Sequence, residues 1–160
     1  MDIANALTQR EIVSGAEGEC YITLGSDRYL FASVTKLEAK AEKQKKEVKV
    51  LGRRTPVNKS SSLKLTGSCT MHYNQSVLRK FMLQYKNTGV DTYAEIQVTN
   101  EDPSTYLGRQ TIVLIGVNFD EVILAKLDIE SDDSLTEDMN FTFEDFEMPE
   151  SFAEINSMKA

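Results

Sequence analysis

One histidine, His72, two cysteines, Cys20 and Cys69, and an acidic run over residues 128–138 are the groups in this chain suited to metal, nucleophilic or acid–base chemistry. His72 alternates with apolar residues on a strand-like stretch and reads as a solvent-facing or structural residue. With no second histidine and no paired ligand spacing, a zinc site is not expected. The cysteines lie far apart without a CxxC spacing and read as small, reduced core residues. The run DIESDDSLTED invites a calcium loop, but with Asp128 as the first position Asp133 stands sixth where glycine is needed, and Met139 stands twelfth where glutamate is needed. It reads instead as a solvated turn. Glycine-rich phosphate cradles and nucleophile elbows are absent, so neither enzyme activity nor a cofactor is expected.

The charge pattern is more informative. Within KKEVKVLGRRTPVNKSSS, residues 45–62, stand Lys45, Lys46, Lys49, Arg53, Arg54 and Lys59, although the chain as a whole carries a net charge of −7. Residues 36–64 hold ten Lys and Arg against three Glu, a balance of +7, whereas residues 117–160 hold thirteen Asp and Glu against two Lys, a balance of −11. A molecule so polarised is complementary to other copies of itself, which favours head-to-tail association over a two-fold dimer. Nucleic-acid binding is the alternative use of a basic arm. Against it, no aromatic residue lies between Lys36 and Tyr73 to stack on bases. Val48, Val50 and Leu51 lie on the same arm, and burying them against a partner would contribute several kcal/mol at roughly 25 cal/mol per Å².

The elements that position these residues follow from length and periodicity. At 160 residues the chain fits one domain with one core. No apolar run approaches the roughly 20 residues that cross a bilayer, and no membrane anchoring is expected. The N-terminus lacks the basic start and apolar block of a secretory signal, which points to synthesis in the cytosol.

Period two dominates: TKLEAKAEK and SLKLTGSCTMHY alternate and read as half-buried strands, with residues 44–62 as the distal part of a long hairpin arm. In NQSVLRKFMLQYKNTG, Val77, Leu78, Phe81, Met82 and Tyr85 form one helical stripe, with Asn74 or Ser76 to cap its start and Gly89 after its end. TYAEIQVTN, RQTIVLIGVNF, VILAKLDIE and MNFTFEDF return to strands, separated by a turn at Asp102-Pro103-Ser104 and by breaks at Leu107-Gly108 and Gly116-Val117. Seven or eight strands and one helix predict a mainly β protein, an antiparallel sandwich or barrel with one flanking helix and an extended hairpin arm. Residues 1–18 form an N-terminal arm and 147–160 a C-terminal tail, both expected to be loosely held until assembly.

The runs EVKVLGRRTPVNK, KNTGVDTY, GVNFDEVILAKLD and NFTFEDF resemble the tail-tube proteins of contractile phage-type tails of the PBSX kind, related to those of R-type bacteriocins. The resemblance extends over nearly the whole chain from about Ile12. It implies two packed antiparallel sheets with a flanking helix, closing into homo-hexameric rings that stack into a hollow tube inside a sheath. Each subunit of that family gives about four strands to a shared inner barrel. Twenty-four strands at roughly 4.8 Å spacing and about 40° tilt leave a channel near ~40 Å, wide enough for duplex DNA to pass without specific binding. The resemblance further implies sheath, baseplate and initiator proteins as partners, assembly in the bacterial host cytoplasm, and release within the finished particle. In such tubes a long loop reaches neighbouring subunits, and residues 44–62 match it. The expected interface therefore joins Lys45, Lys46, Val48, Lys49, Val50, Leu51, Arg53, Arg54 and Lys59 to acidic groups of the next copy, with Asp132, Asp133, Glu137 and Asp138 as the candidates.

Overall fold

The computed structural model describes residues 7–31 and 33–155. Its strands are β1 (Gly18–Leu24), β2 (Asp27–Leu30), β3 (Val34–Val48), β4 (Val57–His72), β5 (Ala94–Glu101), β6 (Arg109–Phe119), β7 (Thr136–Thr142) and β8 (Asp145–Glu150), with one α-helix, α1 (Val77–Thr88). All pairings are antiparallel, in the order β2-β1-β5-β6-β7-β4-β3, with β8 also on β6. The mainly β architecture with one helix and a long hairpin is the one the alternation predicts.

Strand β6 belongs to two sheets. Residues Arg109–Ile115 pair with β5 and β8, and Asn118 and Phe119 pair with β7. Gly116 lies at the changeover with φ +69, in the register shift opposite Ala94 and Ile96. A glycine in the left-handed region is what such a bulge requires, and bulges turn a strand from one sheet to the next. The expected break at Gly116-Val117 is thus a corner within one strand, while Gly108 does precede β6, also at positive φ.

The core fills the space between the sheets. Ile22, Ile96 and Leu114 come from one side and Cys69, Met71, Met139 and Phe141 from the other, with Leu78 of α1 closing one end. Along β7 the alternation is strict: Glu137, Met139 and Phe141 are buried while Asp138, Asn140 and Thr142 are exposed. Gly67 on β4 makes room for the Phe141 ring, since a Cβ there would stand 2.3 Å from Phe141 Cζ. Phe119 meets Phe141 edge-on at 5.7 Å between centroids. Cys20 and Cys69 are free thiols in this core; burial pushes Cys20 up to about 11 and Cys69 up to about 12.

Helix α1 matches the predicted stripe. It ends where Gly89, at φ +71, donates its N–H to Tyr85 O at 2.8 Å. At the other end Ser76 occupies the capping position without a side-chain hydrogen bond.

Four expectations change. VILAKLDIE is not a strand: residues 121–135 run without ladder pairing, and Leu124, Leu127 and Ile129 are exposed. Ile123, Ala125, Leu127 and Ile129 do fall at every second position, but β7, the next strand along the chain, already has β6 and β4 on its two edges and offers this segment no ladder partner. A β1–β2 hairpin appears in GECYITLGSDRYL, turning through Gly25 at φ +64, where no strand was expected.

The N-terminal segment, expected to be loose, is held from residue 10 to residue 17 (residues 1–6 lie outside the described residues). Asp102 Oδ2 accepts from Ser14 N–H at 2.9 Å, Tyr106 N–H donates to Arg10 O, and Tyr106 OH donates to Glu11 Oε1 at 2.9 Å. The supposed tail from residue 147 begins inside β8, where Arg109 donates twice to Glu150, at 2.5 and 2.7 Å. Pro149, which masked that strand in the sequence, is tolerated because β8 is an edge strand. No helix among the described residues is long and apolar enough to cross a membrane.

Candidate assembly interface

The basic residues are gathered by the β3–β4 hairpin. Strand β4 pairs with β7 only from Thr66 to His72, so the nine residues from Thr66 back to Val57 carry the hairpin about 30 Å past the sheet. Beyond that point only β3 and β4 pair with each other, from Glu42↔Lys64 to Val48↔Val57, with a bulge between Gln44 and Lys45. The outer edge of β3 has no strand partner among the described residues.

The tip turns through Val50–Arg53, where Arg53 N–H donates to Val50 O at 3.2 Å. Gly52, third in that turn, has φ +84, which a type II turn demands. Leu51 stands at the corner and is 103% exposed, with Val48, Val50 and Val57 also exposed behind it. Lys45, Lys46, Lys49, Arg53, Arg54 and Lys59 are all exposed, and none forms an ion pair among the described residues. A cluster of unpaired cations around an apolar point, held on a stiff two-stranded lever, can bind an apolar recess with acidic surroundings.

The acidic candidates separate. Asp132 and Asp133 are exposed on the unpaired 121–135 segment, and Asp138 is exposed on β7, accepting from Thr70 OH at 2.6 Å. Glu137 is a correction. The strand alternation turns it inward, where it is 2% exposed and paired with Arg79 at 2.6 Å, so it cannot meet a neighbour's arm. None of these acids touches the hairpin tip within the chain.

Sequence reasoning missed Arg79, which ties α1 to its surroundings. Its Nη2 donates to Glu137, its Nε donates to Ile123 O at 2.8 Å, its Nη1 donates to Gln75 O, and its guanidinium lies 4.2 Å from the Tyr73 ring centroid. Burial holds the Glu137 carboxyl above the usual glutamate range, and the positive charges of Arg79 and Lys126 pull it part of the way back. Asp102 was read only as a turn residue. It accepts from Ser104 OH at 2.6 Å, from Ser104 N–H and from Ser14 N–H, and these bonds, led by the Ser104 hydroxyl, hold its carboxyl below the usual range.

Among the described residues no group of three or more His, Cys, Asp or Glu could hold a metal ion.

Comparison with known proteins agrees with this geometry. The chain is 34% identical over 149 residues to the phage-like element PBSX protein XkdM of Bacillus subtilis, covering 93% of this chain and 98% of that protein. Its fold matches a chain of the PVC sheath-tube complex, an extracellular contractile injection system in its extended state, with a TM-score of 0.63 at 8% identity over 88% of this chain and 93% of the other. A chain of the anti-feeding prophage baseplate matches with a TM-score of 0.62 at 12% identity, over 82% and 91%. The family model described as phage tail tube protein matches residues 5–150. A chain this long, with a two-sheet core and a charged hairpin carried clear of it, belongs to the phage tail tube protein family.

Proposed function

We propose that this chain is the structural subunit of the inner tube of a contractile phage-type tail or R-type bacteriocin, closing into hexameric rings that stack into a hollow tube. The observation that carries this reading is the β3–β4 hairpin of a tail-tube family member: a lever about 30 Å long with six cations and an exposed apolar point that, among the described residues, have no ion-pair partner and no cover. Lys45, Lys46, Lys49, Arg53, Arg54 and Lys59 meet acids of the next copy, Asp132, Asp133 and Asp138 among them, while Val48, Val50 and Leu51 supply the apolar part of the contact. The contact is heterologous and does not close on itself along the axis, so it builds an open stack.

Sheath and baseplate proteins are the partners that follow, since the solved assemblies with this fold are a sheath-tube complex and a baseplate. Assembly takes place in the bacterial host cytoplasm, and the lumen passes cargo without specific binding. The nucleic-acid reading gains no support, because the exposed side chains among the tip cations are aliphatic, not aromatic. Negative-stain electron microscopy of the concentrated protein tests the proposal. Regular rings and hollow tubes are expected; a chain that stays monomeric at every concentration and with initiator proteins present would overturn it.

A further inference from the structure

Resting on that tube reading, we infer that the receiving site for the hairpin tip is the cleft between α1 and the sheet corner of another copy, with Leu51 as the knob and Asp91 and Asp120 as counter-charges. The cleft has a volume of about 270 Å³. Leu24, Leu78, Phe81, Met82 and Phe119 line it, so its floor is apolar. Its wall includes two exposed carboxylates: Asp91, which accepts from Asn118 Nδ2 at 3.1 Å, and Asp120, whose N–H donates to Asn140 O.

Four features commit this cleft to a second copy of the chain. The tip offers one protruding leucine flanked by Lys49, Arg53 and Arg54, and the cleft offers an apolar recess flanked by two aspartates, so shape and charge match in one register. The chain's own tip cannot fill the cleft, because the hairpin leads away from the sheet for about 30 Å. The segment that leaves the cleft at Val122 goes on to Asp132 and Asp133, both exposed, so the acids already proposed for the arm follow the cleft on one unpaired stretch of chain. Finally, tip and cleft lie on different parts of one molecule, which is the arrangement a repeating front-to-back contact requires.

The test joins the two sites covalently. A chain carrying Leu51→Cys and Met82→Cys is assembled and oxidised, and run without reductant beside a chain carrying Leu51→Cys alone; the native thiols are at least half-buried in the core and poorly reactive. A ladder of linked chains from the double variant only is expected. Tubes visible by electron microscopy that give no ladder would overturn the cleft assignment while leaving the tube reading intact. Failure of the unaltered chain to form rings or tubes would sink both. If the cysteine chain does not assemble, charge exchange decides. Arg53→Glu with Arg54→Glu should lose long tubes and regain them when Asp91→Lys and Asp120→Lys are added, and an absence of rescue overturns the inference.

Discussion

Arg79 Nη2 stands 2.6 Å from Glu137 Oε2, joining the first turn of α1 to the buried face of β7, with the arginine side chain 16% and the glutamate 2% exposed. Glu137→Ala leaves the Arg79 charge without its counter-ion but still bonded to the Ile123 and Gln75 carbonyls, so it should cost about 1–3 kcal/mol in urea unfolding. Replacing both with apolar residues of similar volume, Arg79→Met with Glu137→Leu, should cost far less. Because burial raises the Glu137 carboxyl, its contribution is fully present below the ordinary glutamate range and is lost as pH rises through the raised native value. Relative to Glu137→Gln, the unaltered protein should therefore fare best in acid, and a flat difference across that window would refute the assignment.

Asp102 titrates in the opposite sense. Its native carboxyl lies below the ordinary range because Ser104 and Ser14 donate to the ionised form, so its contribution is present above that range and disappears as pH falls through the depressed value. Asp102→Asn should speed amide exchange at Ser14 and Ser104 while leaving the β7 amides protected. Hydrogen exchange followed by NMR reads this directly.

Gly67 lies where a Cβ would meet Phe141 Cζ at 2.3 Å, Phe141 Cε2 at 2.5 Å and Glu38 O at 2.9 Å. Phe141 is 1% exposed, and the Glu38 carbonyl on the other side belongs to the paired backbone of β3. Gly67→Ala should destabilise by about 1–3 kcal/mol, the usual cost of overpacking, and lower the thermal midpoint. A midpoint equal to that of the unaltered protein would show that the ring moves freely.

Arg53→Glu with Arg54→Glu should leave the unfolding free energy within about 0.5 kcal/mol of the unaltered value, because both side chains are exposed at the tip. Long tubes should be lost all the same. Tubes of normal length from this variant would remove the arm from the proposed interface.

The helix and the long hairpin were legible because their signals are local: the stripe Val77, Leu78, Phe81, Met82, Tyr85 closed by Gly89, and the alternation from Lys36 to Glu42 and from Leu63 to Tyr73. That the basic residues stand together on a projecting arm was equally legible, since they fall in one stretch between two alternating segments. Glu137 was misassigned because its neighbours Asp132, Asp133 and Asp138 are solvated, although the alternation of Met139, Phe141 and Phe143, carried back by two positions, already puts it on the buried face. The 121–135 segment was misread because Ile123, Ala125, Leu127 and Ile129 carry a strand's period of two, and period alone does not supply a neighbouring edge to pair with. The cleft beside α1 could not be read at all, because Leu24, Phe81 and Phe119 come together only through non-local packing.

The outer edge of β3 has a consequence for the life of the subunit before assembly. A newly made copy exposes backbone donors and acceptors along this strand, a seam onto which any stray extended peptide could zip. Lys36, Glu38, Lys40 and Glu42 alternate in sign along one face of that seam, and a foreign strand meets mismatched charge at every second position. The alternating charges of these four side chains thus guard the open edge against indiscriminate strand addition.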